Sequence, residues 1–183
     1  MKIYTKRGDK GFTSLFDSSQ VKKNHPLISF YGSLDDLNSS LGIALVHISS
    51  SNSLEVLTKQ VSLIQKHLFE IAADSVSSSS YFQSSSTESL ENWIDTFEKE
   101  LPTLKNFILP SGTLAASSLH QSRCKCRYAE RLYCDLEDSK TIEVQPSVQC
   151  YLNRLSDYLF VAARQSNFKL NCPENSVVFK KIH

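Results

Sequence analysis

The sequence predicts an all-α fold, a bundle of five helices, on three observations. Apolar residues recur at alternating spacings of three and four along separate stretches, as a helix with one buried face requires. Two-residue alternation is confined to residues 2–6 (KIYTK), enough for one short strand. The gaps between the periodic stretches hold the turn formers: Asn24-His25-Pro26, Ser49 to Ser53, a serine-rich run at 77–86, Pro110 with Gly112, and Pro146.

The first helix follows the turn at Asn24-His25-Pro26. Ser33, with Asp36 three residues on, resembles a capping box with Asp in place of Glu. Leu34, Leu37, Leu41, Ala44 or Leu45, and Ile48 form its apolar stripe. Asp35 and Asn38 share a neighbouring face, whose plain reading is a solvated polar edge. The second helix repeats the pattern with Leu54, Leu57, Val61, Ile64, Leu68 and Ile71. Two consecutive helices so patterned pack at shallow angles, as in a bundle. His67 falls at the edge of the stripe and reads as structural.

The run at 77–86 is mostly serine and reads as a flexible surface loop. Thr87 can cap a third helix that carries Leu90, Trp93, Ile94, Phe97 and Leu101 and stops at Pro102. Residues 107–113 (FILPSGT) form a turn, in which Phe107 is either core or an apolar lid over a flat ligand. The last helix starts at Pro146, a residue suited to a first helical turn, and buries Val148, Leu152, Leu155, Leu159 and Ala162. Asn153 and Asp157 lie together on another face of it, and Val177 to Phe179 is an apolar tail that must dock somewhere.

The fourth helix carries the most chemistry. Residues 119–136 (LHQSRCKCRYAERLYCDL) contain neither Gly nor Pro. At about 100° per residue, His120, Arg123, Arg127, Glu130 and Arg131 fall on one side, and Ala115, Leu119, Ser122, Cys126, Ala129 and Tyr133 along another. An arginine stripe has either a solvated face or an anion to hold. Near the amino terminus, residues 5–16 (TKRGDKGFTSLF) set Gly8 and Gly11 among Lys6, Arg7 and Lys10, with Thr5, Thr13 and Ser14 as hydroxyl donors. Glycines let several backbone N–H groups point at one anion, although the Walker A pattern is absent.

Composition excludes several classes. A chain of 183 residues with 40% hydrophobic and 21% charged residues is most simply one globular domain. A net charge of +1 gives no general nucleic-acid or membrane surface. Five cysteines, an odd number in no paired CxxC pattern, read as reduced thiols rather than a disulfide framework or a zinc site, so no metal-ligand residues are assigned. No leader and no bilayer-length apolar run is seen, so the expected location is the cytoplasm.

Three separated blocks resemble one family: TKRGDKGFTSL with YGSLDDLNSSLG, then FILPSGTLAASSLHQSRCKCRYAER, then YLNRLSDYLFVAAR. Together they are similar to the ATP:cob(I)alamin adenosyltransferases of the propanediol-utilisation type. The resemblance implies an up-and-down five-helix bundle, assembled as a homotrimer with active sites between subunits. It implies transfer of the 5'-deoxyadenosyl group of ATP to the cobalt of a reduced corrinoid, with Mg2+, cobalamin as substrate and triphosphate as leaving group.

Residues 1–26 would then be the ATP-binding loop, 27–170 the bundle and 171–183 the tail of a single domain. Carried over by position, Thr5, Lys6, Gly8, Asp9, Lys10, Gly11, Thr13 and Ser14 would wrap the triphosphate, with Lys23 adding charge. Arg127, Glu130 and Arg131 would help hold ATP, and Asn153 would meet the nucleotide from the last helix. Asp35 and Arg123 match residues that pair across the subunit interface, and Phe107 matches the aromatic beneath the corrin ring. A flavin-dependent reductase and an adenosylcobalamin-dependent enzyme are the implied partners.

Two positions depart from the family pattern. Tyr128 stands where arginine is usual, giving RYAER, and Ser111 stands where glycine is usual. A missing guanidinium keeps open a non-catalytic corrinoid carrier or ATP-sensing bundle. A purely structural bundle with a solvated stripe is the remaining alternative.

Overall fold

A computed structural model gives the structure of residues 3–15, 19–74, 81–139, 141 and 145–179. Among these, five α-helices hold most of the chain: α1 (Pro26–Ile48), α2 (Glu55–Asp74), α3 (Ser85–Glu98), α4 (Leu114–Asp138) and α5 (Pro146–Lys169). Ahead of them lies a small antiparallel ribbon, β1 (Phe12–Ser14) and β2 (Gln20–Lys22), which pairs Phe12 with Lys22 and Ser14 with Gln20. The described part of the expected strand at 2–6, from Ile3 to Lys6, is not in a strand; the extended pairing falls at 12–22 instead. Gly11, at φ +79°, turns the chain into β1, and its carbonyl accepts from Lys23 N–H at 2.9 Å to close the ribbon.

Cross-helix pairs give the helix directions. Phe30 meets Tyr133, Asp36 meets Lys125 and Ser40 meets Ser122, so α1 and α4 run antiparallel. Tyr133 with Gln145, Glu130 with Asn153, His120 with Phe160 and Thr113 with Asn167 make α4 and α5 antiparallel. Glu91 with Arg154 and Phe97 with Tyr158 make α3 and α5 parallel. His67 with Tyr151 and Gln60 with Tyr158 run α2 against α5. The bundle is therefore up, down, up, down, up.

The apolar stripes read from the sequence are the core. Leu37, Leu41, Ala44, Ile48, Val61, Ile64, Leu90, Leu119, Leu152, Leu155 and Leu159 are fully buried. Helix α5 lies deepest and carries two buried tyrosines whose hydroxyls need partners. Tyr151 Oη lies 2.9 Å from His67 Nδ1, and Tyr158 Oη donates to Gln60 Oε1 at 2.9 Å. Burial raises both phenols above their ordinary value and lowers the His67 imidazole. His67 is thus a buried structural residue rather than a rim one.

Three local expectations change. Helix α1 begins at Pro26, whose fixed φ suits the first turn, with His25 Nδ1 accepting from Leu27 N–H. Ser33 is therefore mid-helix and donates to the Phe30 carbonyl, while Asp36 pairs with Lys125 instead of closing a capping box. Helix α3 begins at Ser85, two residues before the expected cap Thr87. The Asp74 carboxylate accepts from Tyr81 and Phe82 N–H, and Phe82 is buried, so the end of the serine run is anchored; residues 75–80 lie outside the described residues.

Candidate active site

Helix α4 is started by Thr113, whose Oγ1 accepts from Ala116 N–H at 3.1 Å. Its apolar edge, Ala115, Leu119, Ser122, Cys126, Ala129 and Tyr133, is buried. Arg127, Tyr128 and Arg131 are exposed, and Arg123 and Glu130 are half-buried. His120 leaves the stripe: it is 3% exposed, packed against the Phe160 ring at 5.9 Å. Burial first, and the Arg123 charge second, lower its pKa to about 4. His120 therefore sits neutral inside the α4–α5 seam, because α5 presents a large aromatic ring at that level.

The arginines border a cleft of about 570 Å³ between α3, α4 and α5, where Arg123, Arg127 and Arg154 face Glu91, Asp95 and Asp157. Arg154 donates to Glu91 at 3.1 Å and to Asp157 at 2.8 Å, so it is already neutralised. Arg127 makes no ion pair among the described residues. Asn153 Nδ2 donates to Glu130 Oε1 at 2.9 Å, which joins two of the expected nucleotide residues across α4 and α5. Asn153 and Asp157, expected together, take different partners.

A second cleft, about 820 Å³, adjoins the first. It is apolar, lined by Leu104, Phe107, Ile108, Val177 and Phe179, and it shares Arg123 and Phe160 with the polar cleft. Phe107 is 77% exposed, which excludes the core reading of that residue. The tail docks here: Ile108 bridges Ser176 in antiparallel fashion, and Phe179 meets Phe107 edge to face at 6.4 Å. Phe160 and Arg154 are not singled out by the sequence pattern, which marks Phe179 only as the end of an apolar tail. Phe160 lies one residue after Leu159, off the apolar stripe, and its only signal is its place inside YLNRLSDYLFVAAR.

The amino-terminal loop carries two residues with positive φ and one close lysine. Lys6 (φ +58°) and Gly11 (φ +79°) turn the backbone in the left-handed region. A side chain at Gly8 would meet Lys23 Nζ at 3.0 Å, so the Lys23 ammonium lies over the loop. Among the described residues, no hydrogen bond or ion pair joins this loop to Arg123, Arg127, Arg131 or Asn153. Asp35 and Arg123 are likewise apart. Asp36 faces Lys125 on α4, so Asp35, about 100° around α1, turns toward α2 and lines a small groove with Phe69. Arg123 Nε is buried without a hydrogen-bond partner among the described residues.

Comparison with known proteins settles the family. The family model described as cobalamin adenosyltransferase matches residues 3–166. The chain belongs to the cobalamin adenosyltransferase family. It is 42% identical over 171 residues to the corrinoid adenosyltransferase of Bacillus subtilis, covering 91% of this chain and 87% of that one. It is 37% identical to the corrinoid adenosyltransferase MMAB of Mus musculus, covering 98% and 78%. A variant PduO-type ATP:corrinoid adenosyltransferase from Lactobacillus reuteri, solved with cobalamin and ATP, superposes with a TM-score of 0.89 at 36% identity, covering 96% of each chain.

For a cobalamin adenosyltransferase, both departures have a local setting. Tyr128 supports Arg131, whose guanidinium carbon lies 5.7 Å from the centre of its ring. Ser111 Oγ donates to the Leu109 carbonyl and receives the Asn175 amide, tying the turn to the tail.

Proposed function

We propose that this protein transfers the 5'-deoxyadenosyl group of ATP to the cobalt of cob(I)alamin, releasing triphosphate and adenosylcobalamin. The observation that carries it is the pair of clefts. An arginine-bearing polar cleft and an aromatic apolar one share a wall at Arg123 and Phe160. A nucleotide and a flat macrocycle bound there would meet at that wall. Co(I) supplies the electron pair, attacks the 5'-carbon and displaces the triphosphate oxygen, so no Ser, Cys or His nucleophile is needed. The chain's task is to hold the carbon near cobalt and to stabilise charge growing on the leaving group.

Arg127, Glu130, Arg131 and Asn153 hold the nucleotide from the bundle, and Thr5, Lys6, Gly8, Asp9, Lys10, Gly11, Thr13, Ser14 and Lys23 wrap the triphosphate. Phe107 closes one face of the corrin ring. Mg2+ would be carried on the phosphate oxygens, since Mg2+ keeps waters and takes few protein ligands. Among the described residues, no hydrogen bond or ion pair joins the loop to the arginines, or Asp35 to Arg123. A homotrimer with each site between two subunits supplies both missing partners, the partner's carboxylate meeting the orphaned Arg123 Nε.

The chain forms a single domain that works in the cytoplasm beside a flavin-dependent reductase and an adenosylcobalamin-dependent enzyme. No described helix is long and apolar enough to cross a membrane. Mixing protein, ATP and chemically reduced cobalamin and recording the visible spectrum with triphosphate release tests the function. Conversion to adenosylcobalamin with matching triphosphate is expected. A bound corrinoid spectrum without triphosphate would make the protein a carrier, and no spectral change a structural bundle.

A further inference from the structure

The Phe107 ring meets the equally exposed Phe179 rather than the core, so its place is set by the turn that carries it. The turn that carries it, residues 107–113, crosses the end of α5 at Asn167, and Asn167 is 2% exposed. Its Oδ1 accepts from Thr113 N–H at 2.9 Å and from Thr113 Oγ1–H at 3.2 Å. Its Nδ2 donates to the Ser111 carbonyl at 3.0 Å. Between these two contacts lies Gly112, at φ +115°, where an added Cβ would stand 2.3 Å from Asn167 Oδ1. The amide is thus laid flat against the backbone, and only glycine leaves room for it. Because Thr113 Oγ1 donates its proton to Asn167, its lone pair stays free to accept from Ala116 N–H and cap α4.

The same residue starts the tail. Its backbone carbonyl accepts from Cys172 N–H at 2.8 Å, which reverses the chain after α5. The tail then returns along the Phe107 turn: Leu109 N–H donates to the Asn175 carbonyl at 2.8 Å and Val177 N–H to the Phe107 carbonyl at 2.7 Å. Two arms therefore leave one residue, the Phe107 arm from its side chain and the Phe179 arm from its main chain, and they pair with each other.

We propose that Asn167 is a positioning residue for the corrinoid side of the reaction, setting where Phe107 and Phe179 stand while touching neither substrate. The proposal rests on the reading that Phe107 meets the corrin ring. An amide is required because the site needs a donor toward Ser111 and an acceptor toward Thr113 at once; a carboxylate would set oxygen against the Ser111 carbonyl. The nucleotide residues on α4 and α5 lie several turns away from this end of the bundle, so their contacts are left as they are.

The test is Asn167→Asp in the full chain, with Asn167→Ala measured in its place if the carboxylate prevents folding. In a protein with wild-type helical circular dichroism, the Leu109 and Val177 amides should exchange about tenfold faster or more. The Michaelis constant for the corrinoid should rise roughly tenfold while that for ATP stays within about twofold. In a Phe107→Ala background the same substitution should cost no more than about twofold further, since the ring it positions is gone. Unchanged exchange at both amides, or full additivity with Phe107→Ala, overturns the proposal. So does faster exchange with wild-type corrinoid kinetics when Phe107→Ala is itself impaired. If Phe107→Ala also keeps wild-type corrinoid kinetics, the underlying reading of Phe107 has failed instead.

Discussion

Arg127 and Arg154 border the same cleft, but Arg154 is already engaged by Glu91 and Asp157, whereas Arg127 makes no ion pair among the described residues. A guanidinium fork can bind two phosphate oxygens, where lysine offers a point charge. Charge on triphosphate grows as the carbon–oxygen bond breaks, so the contact strengthens toward the transition state. Arg127→Lys should lower kcat as well as raise the Michaelis constant for ATP, with kcat/KM falling roughly tenfold to a thousandfold. Steady-state kinetics on the folded variant decide it; wild-type kinetics in both Arg127→Lys and Arg127→Ala would return the stripe to a solvated face. Phe107 makes the complementary case. It is too exposed to support the core, so Phe107→Ala should leave the melting temperature and ATP affinity nearly intact and slow adenosylation, most of all from Co(II). Equal losses of ATP affinity and turnover would count against it.

At the scale of the element, α4 shows how neighbours along one helix take separate fates. His120, Arg123 and Arg127 share a side on the wheel, yet the first is buried, the second half-buried and the third exposed. Burial lowers the pKa of the covered imidazole to about 4, and neither ring nitrogen has a hydrogen-bond partner among the described residues. An unfolded histidine takes its proton near pH 6.5. Between those values the unfolded state binds more protons, so stability declines as pH falls from about 6.5 to about 4 and levels off below. His67, also lowered by burial, acts in the same direction. Urea unfolding at pH 7 and pH 4.5 should show the loss, and His120→Leu should remove much of it. A variant that keeps the full wild-type slope would assign it to the carboxylates.

For the whole molecule, the proposed trimer turns on two separate surfaces of one chain. Asp35 and Phe69 lie at the α1–α2 groove, and the arginine face lies between α3, α4 and α5. Light scattering at micromolar concentration should give the mass of three chains of 20.6 kDa. Asp35→Arg should weaken the assembly about tenfold or more, and combining it with Arg123→Asp should restore much of the loss, since the charges are then exchanged rather than removed. A monomer in the wild type, or no recovery in the double variant, would remove this pairing.

The helices were legible because each buries one continuous stripe. Leu57, Val61, Ile64 and Leu68 announce α2 without reference to any neighbour, and Pro146 marks the first turn of α5. The helix starts misread in the sequence, at Ser33 and Thr87, were decided by contacts with distant residues. Lys125 claims Asp36, and Asp74 anchors the chain ahead of α3. The candidate site divides in the same way. Motif order and residue type carry Arg127, Asn153 and the glycine loop, because a phosphate needs guanidinium, amide and flexible backbone wherever they lie. Local pattern could not show that His120 is covered while Arg127 is open, that Asn153 meets Glu130, or that the tail returns along Phe107. Each of those is a meeting of residues far apart in the chain, and a helical period records which face is apolar but not which neighbour will cover it.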